Sequence, residues 1–508
     1  MKRFLAFLFF MPFVPVMALV ASVFQVYRFI LSCVLRLTHG DKFVGMMDGR
    51  DAIWGLEEQK NCGVVNIVAF VEDTVVNNED DLPEKLRRVF VQRFNNLISN
   101  KQDQFRKGML RRNCASGYYY WTDDLNLEAC DLIKLVEPTT NKAYISELEL
   151  RELASQITTS KLPSNHGALW EILILTKPVL ELGSILKYPI FLRFHHSMGD
   201  GVAILRFVME EIMNPTDEWI FSPKHLANSN FNFSKSLSFW LKVIYEFPNQ
   251  MLHVLQMKAD RSSLNTDNLT PFKITCWQNE STVLKNTHWL QLLEKVHIKQ
   301  STVANSSVFI TALSGTLHKY FEARDENPGS LTIAIPVRTK HEEARLKLEN
   351  AFATPVERVP ITPNVLPDDP DRQQKLLDKL TAIKKITKVL RSRTNLMIIF
   401  LAAISLAATF PTQILKYISK FFHITASVSV MPVLKTNLQV GSYELKNMIF
   451  WPPAFGTVGL NVSVFVYGNQ LQLALLADRS VLGTVEEGMA LLEQIMHEIK
   501  RMDMLMGE

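Results

Sequence analysis

Residues 187–201 constrain this chain more than any other stretch. Lys187-Tyr188-Pro189-Ile190-Phe191-Leu192-Arg193-Phe194 is a short apolar and aromatic run entered through a proline, which predicts a strand. Val202 to Ile212 places apolar side chains at Val202, Leu205, Val208, Met209 and Ile212, the spacing of one helix face. Between them stands His195-His196-Ser197-Met198-Gly199-Asp200-Gly201. A strand must therefore hand over to a helix within a few residues. Asp200 suits the N-cap, and Gly201 tolerates the tight turn.

Successive strand side chains point to opposite faces, so His195 and His196 diverge: one enters a cleft and the other packs. A neutral imidazole in a cleft can take a proton from an alcohol near pH 7. Asp200 reaches the turn backbone rather than the catalytic ring, and its expected work is to hold the turn by capping and by pairing with an arginine. The competing reading is a buried histidine pair satisfied by backbone groups. Four fixed residues at this spacing favour function.

The pattern His195-His196-x-x-x-Asp200-Gly201 resembles the signature of the wax ester synthase/diacylglycerol acyltransferase family, within the wider superfamily of CoA-dependent acyltransferases and condensation domains. Other stretches narrow the resemblance. Asp51-Ala52-Ile53-Trp54 looks like the family's opening segment. Leu162-Pro163 followed by Leu169-Trp170-Glu171 resembles its Pro-Leu-Trp-Glu stretch, with Ala168 in place of proline. Val303-Ala304-Asn305-Ser306 resembles the start of its central helix, with Ser306 where aspartate is usual. Gly459-Leu460-Asn461-Val462-Ser463-Val464 through Ala477-Asp478 is similar to its C-terminal domain.

Bulk properties agree with a two-core protein. The chain has 508 residues and a net charge of +4, mild enough to argue against nucleic acid as a partner. Zinc-finger spacing, a glycine-rich phosphate loop and His-Glu-x-x-His are all missing, so no metal is expected. The five cysteines, Cys33, Cys62, Cys114, Cys130 and Cys276, are scattered and odd in number, against a disulfide framework. Their expected state is that of buried small hydrophobes.

Phe4 to Phe24 carries no charge and is long enough to span a bilayer, and the apolar character continues through Phe29-Ile30-Leu31. Residues 1–38 read as an uncleaved membrane anchor, with Pro12 and Pro15 able to kink it or to turn it into a segment dipping into one leaflet. Lys2 and Arg3 balance Arg28 and Arg36, so orientation stays open. Residues 45–212 form the first α/β domain, with strands at Val64–Val71, Leu169–Leu175 and before the His pair, and helices at Leu82–Ile98 and Ile145–Ile157. Residues 213–284 are a crossover linker around one helix, Leu237–Val254, expected simply to pack. Residues 285–508 form the second domain. Its elements are a helix at Ser301–Phe321, a strand at Leu331–Val337, and a basic amphipathic helix at Asp371–Arg393. An apolar helix at Leu396–Phe410 is expected to be buried or interfacial. Four strands and a closing helix, Val485–Met502, follow. Gly468-Asn469 is a tight hairpin turn between the last two strands.

The expected architecture is α/β: two CoA-dependent-acyltransferase-like domains with mixed sheets, an interdomain tunnel and an N-terminal transmembrane helix. The resemblance implies O-acyl transfer from acyl-CoA to a lipid alcohol, diacylglycerol or a long-chain alcohol, without a cofactor beyond the acyl-CoA co-substrate. It implies His196 as general base, Asp200 and Gly201 in the turn, and His195 in a mainly structural place. Arg338 is the expected partner of Asp200, as related enzymes pair that aspartate with an arginine of the other domain. Asn305 is the expected oxyanion donor. The alternative is a catalytically degenerate lipid-binding or carrier protein of the same fold. A single-pass protein of the endoplasmic reticulum, with the plasma membrane second, is the expected location. The catalytic domain is expected on the cytosolic side, with no glycan at the triplets opened by Asn232, Asn268, Asn279, Asn305 and Asn461.

Overall fold

A computed structural model describes residues 2–57, 61–74, 81–100, 102–163, 167–181, 185–215, 237–280, 289–300, 303–340, 346–366 and 368–507. The triplet at Asn232 and most of the expected linker before Leu237 lie outside these residues. In chain order the strands are β1 (Phe43–Met46), β2 (Val64–Thr74), β3 (Arg111–Ala115), β4 (Tyr118–Thr122), β5 (Ile133–Val136) and β6 (Trp170–Leu175). Next come β7 (Val179–Glu181), β8 (Ile185–His195), β9 (Lys273–Asn279), β10 (Ser330–Ala334), β11 (Val337–Arg338) and β12 (Phe352–Ala353). The last are β13 (Val356–Pro360), β14 (Ala426–Val430), β15 (Gln439–Val440), β16 (Tyr443–Trp451), β17 (Leu460–Tyr467) and β18 (Gln470–Asp478).

The helices are α1 (Lys2–Phe10), α2 (Val14–His39), α3 (Gly49–Ala52), α4 (Leu82–Ser99), α5 (Ala129–Leu132), α6 (Glu147–Thr159) and α7 (Gly201–Phe207). They continue as α8 (Leu237–Leu255), α9 (Trp289–Lys299), α10 (Asn305–Glu322), α11 (Arg372–Leu390), α12 (Arg393–Thr409), α13 (Thr412–Ser419) and α14 (Val485–Met506).

Two mixed sheets carry the two cores. The first runs β15-β16-β2-β8-β6-β5, with β7 on the end of β8, and the second runs β13-β10-β14-β17-β18-β9. In the first, β5 and β6 are parallel; in the second, β10, β14 and β17 are parallel neighbours. Beside β8 lie β2 and β6, and a long antiparallel ladder joins Val64 opposite His195 to Thr74 opposite Ile185. From Tyr188 to His195 every residue of β8 is buried, since both faces of the strand are covered. The Pro189 ring replaces an amide within this ladder, opposite Phe70. The α6 helix starts in a capping box, Ser146 and Glu149 satisfying each other's backbone amides.

Sheet membership does not follow chain order, and here the sequence expectation needs correction. The strand β9 falls within residues 213–284, yet it closes the edge of the second sheet by pairing with β18. The strand β16, expected among the strands of the second domain, leaves them and pairs antiparallel with β2, Trp451 opposite Asn66. The crossing is sealed by aromatic packing. Trp451 is fully buried, meets Trp277 edge-on at 5.6 Å, and donates its indole N–H to the Leu475 carbonyl at 3.2 Å. Each half therefore lends the other a strand or its anchor, and the halves share one apolar seam around Val68, Phe191, Trp277 and Trp451.

Smaller expectations also meet the structure. Gly468 and Asn469 take φ of +58° and +62°, the left-handed pair a two-residue hairpin requires between β17 and β18. The helix after the His motif is shorter than its periodicity predicts: α7 ends at Phe207, and a π-helical turn, Val208–Ile212, completes the run. Only Cys276 of the five cysteines is buried; Cys33, Cys114 and Cys130 are exposed. The N-terminal helical segment Phe7–Lys42 is long and apolar enough to cross a membrane.

Candidate active site

The His motif lies where the local reading of the sequence puts it, at the C-terminal end of β8. The Asp200 backbone is extended (φ −74°, ψ 169°), and its Oδ1 accepts from Ala203 N at 3.0 Å, the N-cap bond of α7. Gly201 is needed for space rather than for turn conformation. A Cβ there would stand 3.0 Å from the Phe450 ring, and its backbone is not left-handed. Gly199 faces a comparable limit, 3.3 Å from Glu349 N.

The second half reaches over this turn through the hairpin-like pair β11–β12, Arg338 opposite Phe352. Arg338 Nη1 donates to Asp200 Oδ1 at 2.6 Å. Ala351 N donates to Asp200 Oδ2 at 3.0 Å, and Asp200 N donates to the Glu349 carbonyl at 3.2 Å. Asp200 thus grips residues 349–351 on both sides of Asn350. That grip is what seats Asn350 against His196. The expected pair Asp200 and Arg338 is therefore in contact, and the reason it matters is the residue held between them.

His196 Nδ1 lies 2.9 Å from Asn350 Oδ1. The Asn350 amide donates to Asp51 Oδ1 at 3.0 Å and to the His196 carbonyl at 2.8 Å. With both amide hydrogens engaged, Asn350 can only accept from the ring, so the proton of His196 sits on Nδ1 and Nε2 keeps its lone pair. Among the described residues Nε2 meets no hydrogen-bond partner. Asp51 is itself buried and takes Lys107 Nζ at 2.7 Å. Burial raises its carboxyl above the ordinary range, against the pull of Lys107. Trp54, three residues on, stacks on the His196 ring with centroids 3.7 Å apart, and Phe352 flanks the same ring at 5.5 Å. The indole Nε1 of Trp54 is buried and without a partner.

His195 occupies a different environment. Its Nδ1 accepts from Ser197 N at 3.0 Å, which leaves Nε2 as the protonated nitrogen facing Glu57 Oε1. Arg112 Nη1 donates to the same Glu57 oxygen at 2.7 Å. Burial, together with the Arg112 charge, pushes the His195 ring down to about 4. Burial works to raise the Glu57 carboxyl, but His195 and Arg112 outweigh it and hold the group at about 2. His195 is thereby locked by side chains on both edges and fills a positioning place behind the turn. Glu171, of the Leu-Trp-Glu stretch, is bonded to Arg193, which also donates to Asn66 Oδ1 at 3.0 Å. This buried pair braces β8 two residues before the histidines.

Burial also pushes the His196 ring down to about 4, the nearby Asp200 charge being too weak to offset it. The ring is consequently neutral at pH 7 and able to accept a proton. Asn305, by contrast, opens α10, whose buried side chains pack in the second core, and none of the described contacts joins it to His196. Sequence reasoning missed Asn350, Glu57, Arg112 and Lys107 as members of this group. Asp51 and Trp54 had a signal in the Asp-Ala-Ile-Trp stretch, while Asn350 had none: it stands in a segment without periodicity, and only the fold brings it to the ring.

With this geometry in view, comparison with known proteins is informative. Residues 366–500 match the WS/DGAT C-terminal domain family. In its C-terminal part, then, the resemblance read from the sequence holds. Among solved structures the chain is similar to the wax ester synthase/diacylglycerol acyltransferase from Marinobacter aquaeolei VT8. The TM-score is 0.57 at 15% identity, over 90% of this chain and 99% of the other. It is similar also to a trichothecene 15-O-acetyltransferase from Fusarium sporotrichioides, with a TM-score of 0.56 at 13% identity over 89% and 94% of the two chains. A variant of the starter condensation domain of rhizomide synthetase, in complex with C8-CoA, matches with a TM-score of 0.52 at 12% identity over 93% and 97%. These likenesses establish the fold, that of two-domain CoA-dependent acyltransferases and condensation domains. No curated protein sequence matches the chain.

Two outcomes test the site. The acid limb of kcat/KM is expected near pH 4, where the buried His196 ring protonates, and not near 6.5, the value of a ring in water. The sign for stability follows from linkage: each buried histidine is protonated earlier in the unfolded chain, so stability is full above 6.5 and falls as the pH drops toward 4. Second, Asp200→Asn and Arg338→Met are expected to lose activity non-additively, with a coupling of about 0.5–3 kcal/mol in a double-mutant cycle on kcat/KM. Strict additivity would separate the two residues.

Proposed function

We propose, for a chain that carries a WS/DGAT C-terminal domain and folds as the two-domain CoA-dependent acyltransferases do, an O-acyltransferase. It acts at a membrane and moves a fatty acyl group from acyl-CoA to a lipid alcohol: diacylglycerol, giving triacylglycerol, or a long-chain alcohol, giving a wax ester. The observation that carries this reading is His196 itself. It is a neutral imidazole, its proton fixed on Nδ1 by Asn350, its Nε2 unengaged, at the junction of the two halves. That is the state a general base for an alcohol requires.

In this reading His196 Nε2 takes the hydroxyl proton as the alcohol oxygen attacks the thioester carbonyl. The tetrahedral intermediate collapses with loss of the CoA thiolate, which recovers the proton from the imidazolium. The cationic ring keeps its Nδ1–H bond to Asn350 throughout, so it does not turn between accepting and returning the proton. Among the described residues no serine or cysteine hydrogen-bonds to the ring, which supports direct transfer without an acyl-enzyme. The developing oxyanion needs a donor. Asn305 is not among the groups gathered around His196, and the role goes to the Trp54 indole N–H, buried and unpartnered beside the ring. The acyl-CoA donor is carried over from the C8-CoA in the condensation-domain structure.

Membrane attachment rests on the apolar N-terminal helix. Its inner half packs on the catalytic body, Arg28 Nη2 donating to the Met47 carbonyl at 2.8 Å and Leu35 sharing a small core with Phe43 and Tyr120. Such packing supports a helix that stays with the mature protein. The endoplasmic reticulum, facing the cytosol where acyl-CoA is available, suits lipid alcohols best.

The test is a lipid-product assay of the full chain with a panel of alcohols. His196→Ala is expected to lower turnover about a hundred- to ten-thousand-fold with the fold intact. A variant keeping more than about a tenth of wild-type turnover would remove His196 as the base. Trp54→Phe retains the stacking and removes only the N–H; it is expected to cost about a hundred- to a thousand-fold in kcat with KM nearly unchanged. An unchanged kcat would assign the oxyanion to another donor.

A further inference from the structure

The N-terminal helix does not stand clear of the body. The apolar segment Phe7–Lys42 is 36 residues long, about 54 Å at the α-helical rise, whereas the hydrocarbon core of a bilayer is about 30 Å thick. It touches the body near its start, in its middle and towards its end, while Met11 to Val20 between the first two contacts are exposed. Near its start Phe7 meets Tyr245 and Phe10 meets Phe247, both on α8. In its middle Phe24 meets Phe410 at 5.1 Å and Gln25 Nε2 donates to Thr409 Oγ1 at 2.8 Å, at the end of α12. Near its end Tyr27 faces Tyr118, and His39 lies 3.1 Å from the Tyr120 hydroxyl.

The face turned away from these contacts is apolar over the same length. Leu19, Val23, Phe29 and Leu37 are exposed, Leu37 by 86%. A span confined to Phe4–Phe24 would leave Phe29, Ile30, Val34 and Leu37 in water. The helix α8 repeats the pattern. One side, with Trp240, Val243 and Phe247, packs on Met397 and Ile398 of α12. The other exposes Leu237, Leu241, Ile244 and Leu255, Leu237 by 73%. A helix apolar on both sides is either enclosed by protein or placed in lipid, and α8 is enclosed on one side alone.

We propose that α1, α2 and the outer side of α8 form one monotopic surface that lies in a single leaflet of a lipid bilayer, with both chain ends on the same side. The single span expected from sequence gives way to a helix lying along the body. The surface also places lipid next to the active site. The helix α12 lies beneath α8, and its backbone is in close contact with α3: a Cβ at Gly49 would fall 2.0 Å from the Ile404 carbonyl oxygen. That same short segment carries Asp51, which holds Asn350, and leads to Trp54. A bilayer-borne alcohol would thus be one helix layer away from His196. The proposal rests on the membrane part of the function proposed above and not on its chemistry.

The test needs no acyl transfer, so its failure and that of the proposed activity are distinguishable. The full chain, tagged at both ends, is expressed in cells whose plasma membrane alone is then permeabilised. Both tags are expected to be equally accessible from the same side; tags on opposite sides would overturn the proposal in favour of a span. In parallel, the full chain is bound to phosphatidylcholine–phosphatidylserine vesicles that contain a photoreactive phospholipid. Label is expected in peptides covering 7–39 and also 237–255. The exposed pair Leu241→Glu with Ile244→Glu should cut labelling of 237–255 at least fivefold while 7–39 stays labelled. Label absent from 237–255 in the wild type, or replaced there by cross-links between two copies, would overturn the assignment of α8 to lipid.

Discussion

The buried carboxylate of Asp200 is the constraint on which the rest of the site depends. It accepts from Ala203 N at the start of α7, from Arg338, and from Ala351 N. The first bond belongs to the first half of the chain and the other two to the second. A buried carboxylate without such partners would be costly, so the turn is stable only when the segment around Asn350 is docked. Assembly of the two halves and alignment of the catalytic ring are in this sense one event. The ring cannot be held by Asn350 unless Asp200 has captured the residues on either side of it.

The paired histidines show how neighbouring groups of one kind acquire different roles. Both are buried, and burial pushes both rings down to about 4. His195 spends its hydrogen-bonding capacity on Ser197 and Glu57, with Arg112 completing a charged cluster. His196 spends only Nδ1, on a neutral amide, and is otherwise wrapped in Trp54 and Phe352. An unengaged nitrogen in an apolar wall is a reactive one, whereas a nitrogen facing a carboxylate is a fixed one. His195 is the last residue of β8 and His196 opens the turn that follows, and the two rings share no partner: His195 meets Glu57, Arg112 and Ser197, and His196 meets Asn350, Trp54 and Phe352.

The second organising feature is apolar. The seam around Trp277 and Trp451 holds the two sheets together, and the exchange of β16 and β9 across the expected boundaries makes each core depend on distant parts of the chain. Outside the cores, the apolar surface of α1, α2 and α8 continues into α12 and from there to α3. The catalytic group and the greasiest exterior of the molecule are thus connected by contiguous packing rather than separated by a polar shell.

How much of this was legible in the sequence follows from range. The strand–turn–helix around the His motif, the capping by Asp200, the Gly468-Asn469 turn and the long helices were readable because adjacent residues determine them. Arg338 could be named because it ends a clear strand, and the resemblance supplied an arginine for the motif aspartate. Glu57 and Arg112 could not, because a charged residue in a loop looks the same whether it faces water or a buried imidazole. Asn350 lies 154 positions from His196 and in no periodic run. The boundaries of the two halves misled for the same reason: β16 reads as any half-buried strand, and nothing local says which sheet it will join. Nor could the sequence tell a helix that crosses a bilayer from one that lies along the protein, since both are uncharged and long. Local sequence determines what an element is, through spacing, caps and turns. Which elements meet is decided only in the tertiary structure, because burial rewards the whole assembly and leaves no mark on any one segment.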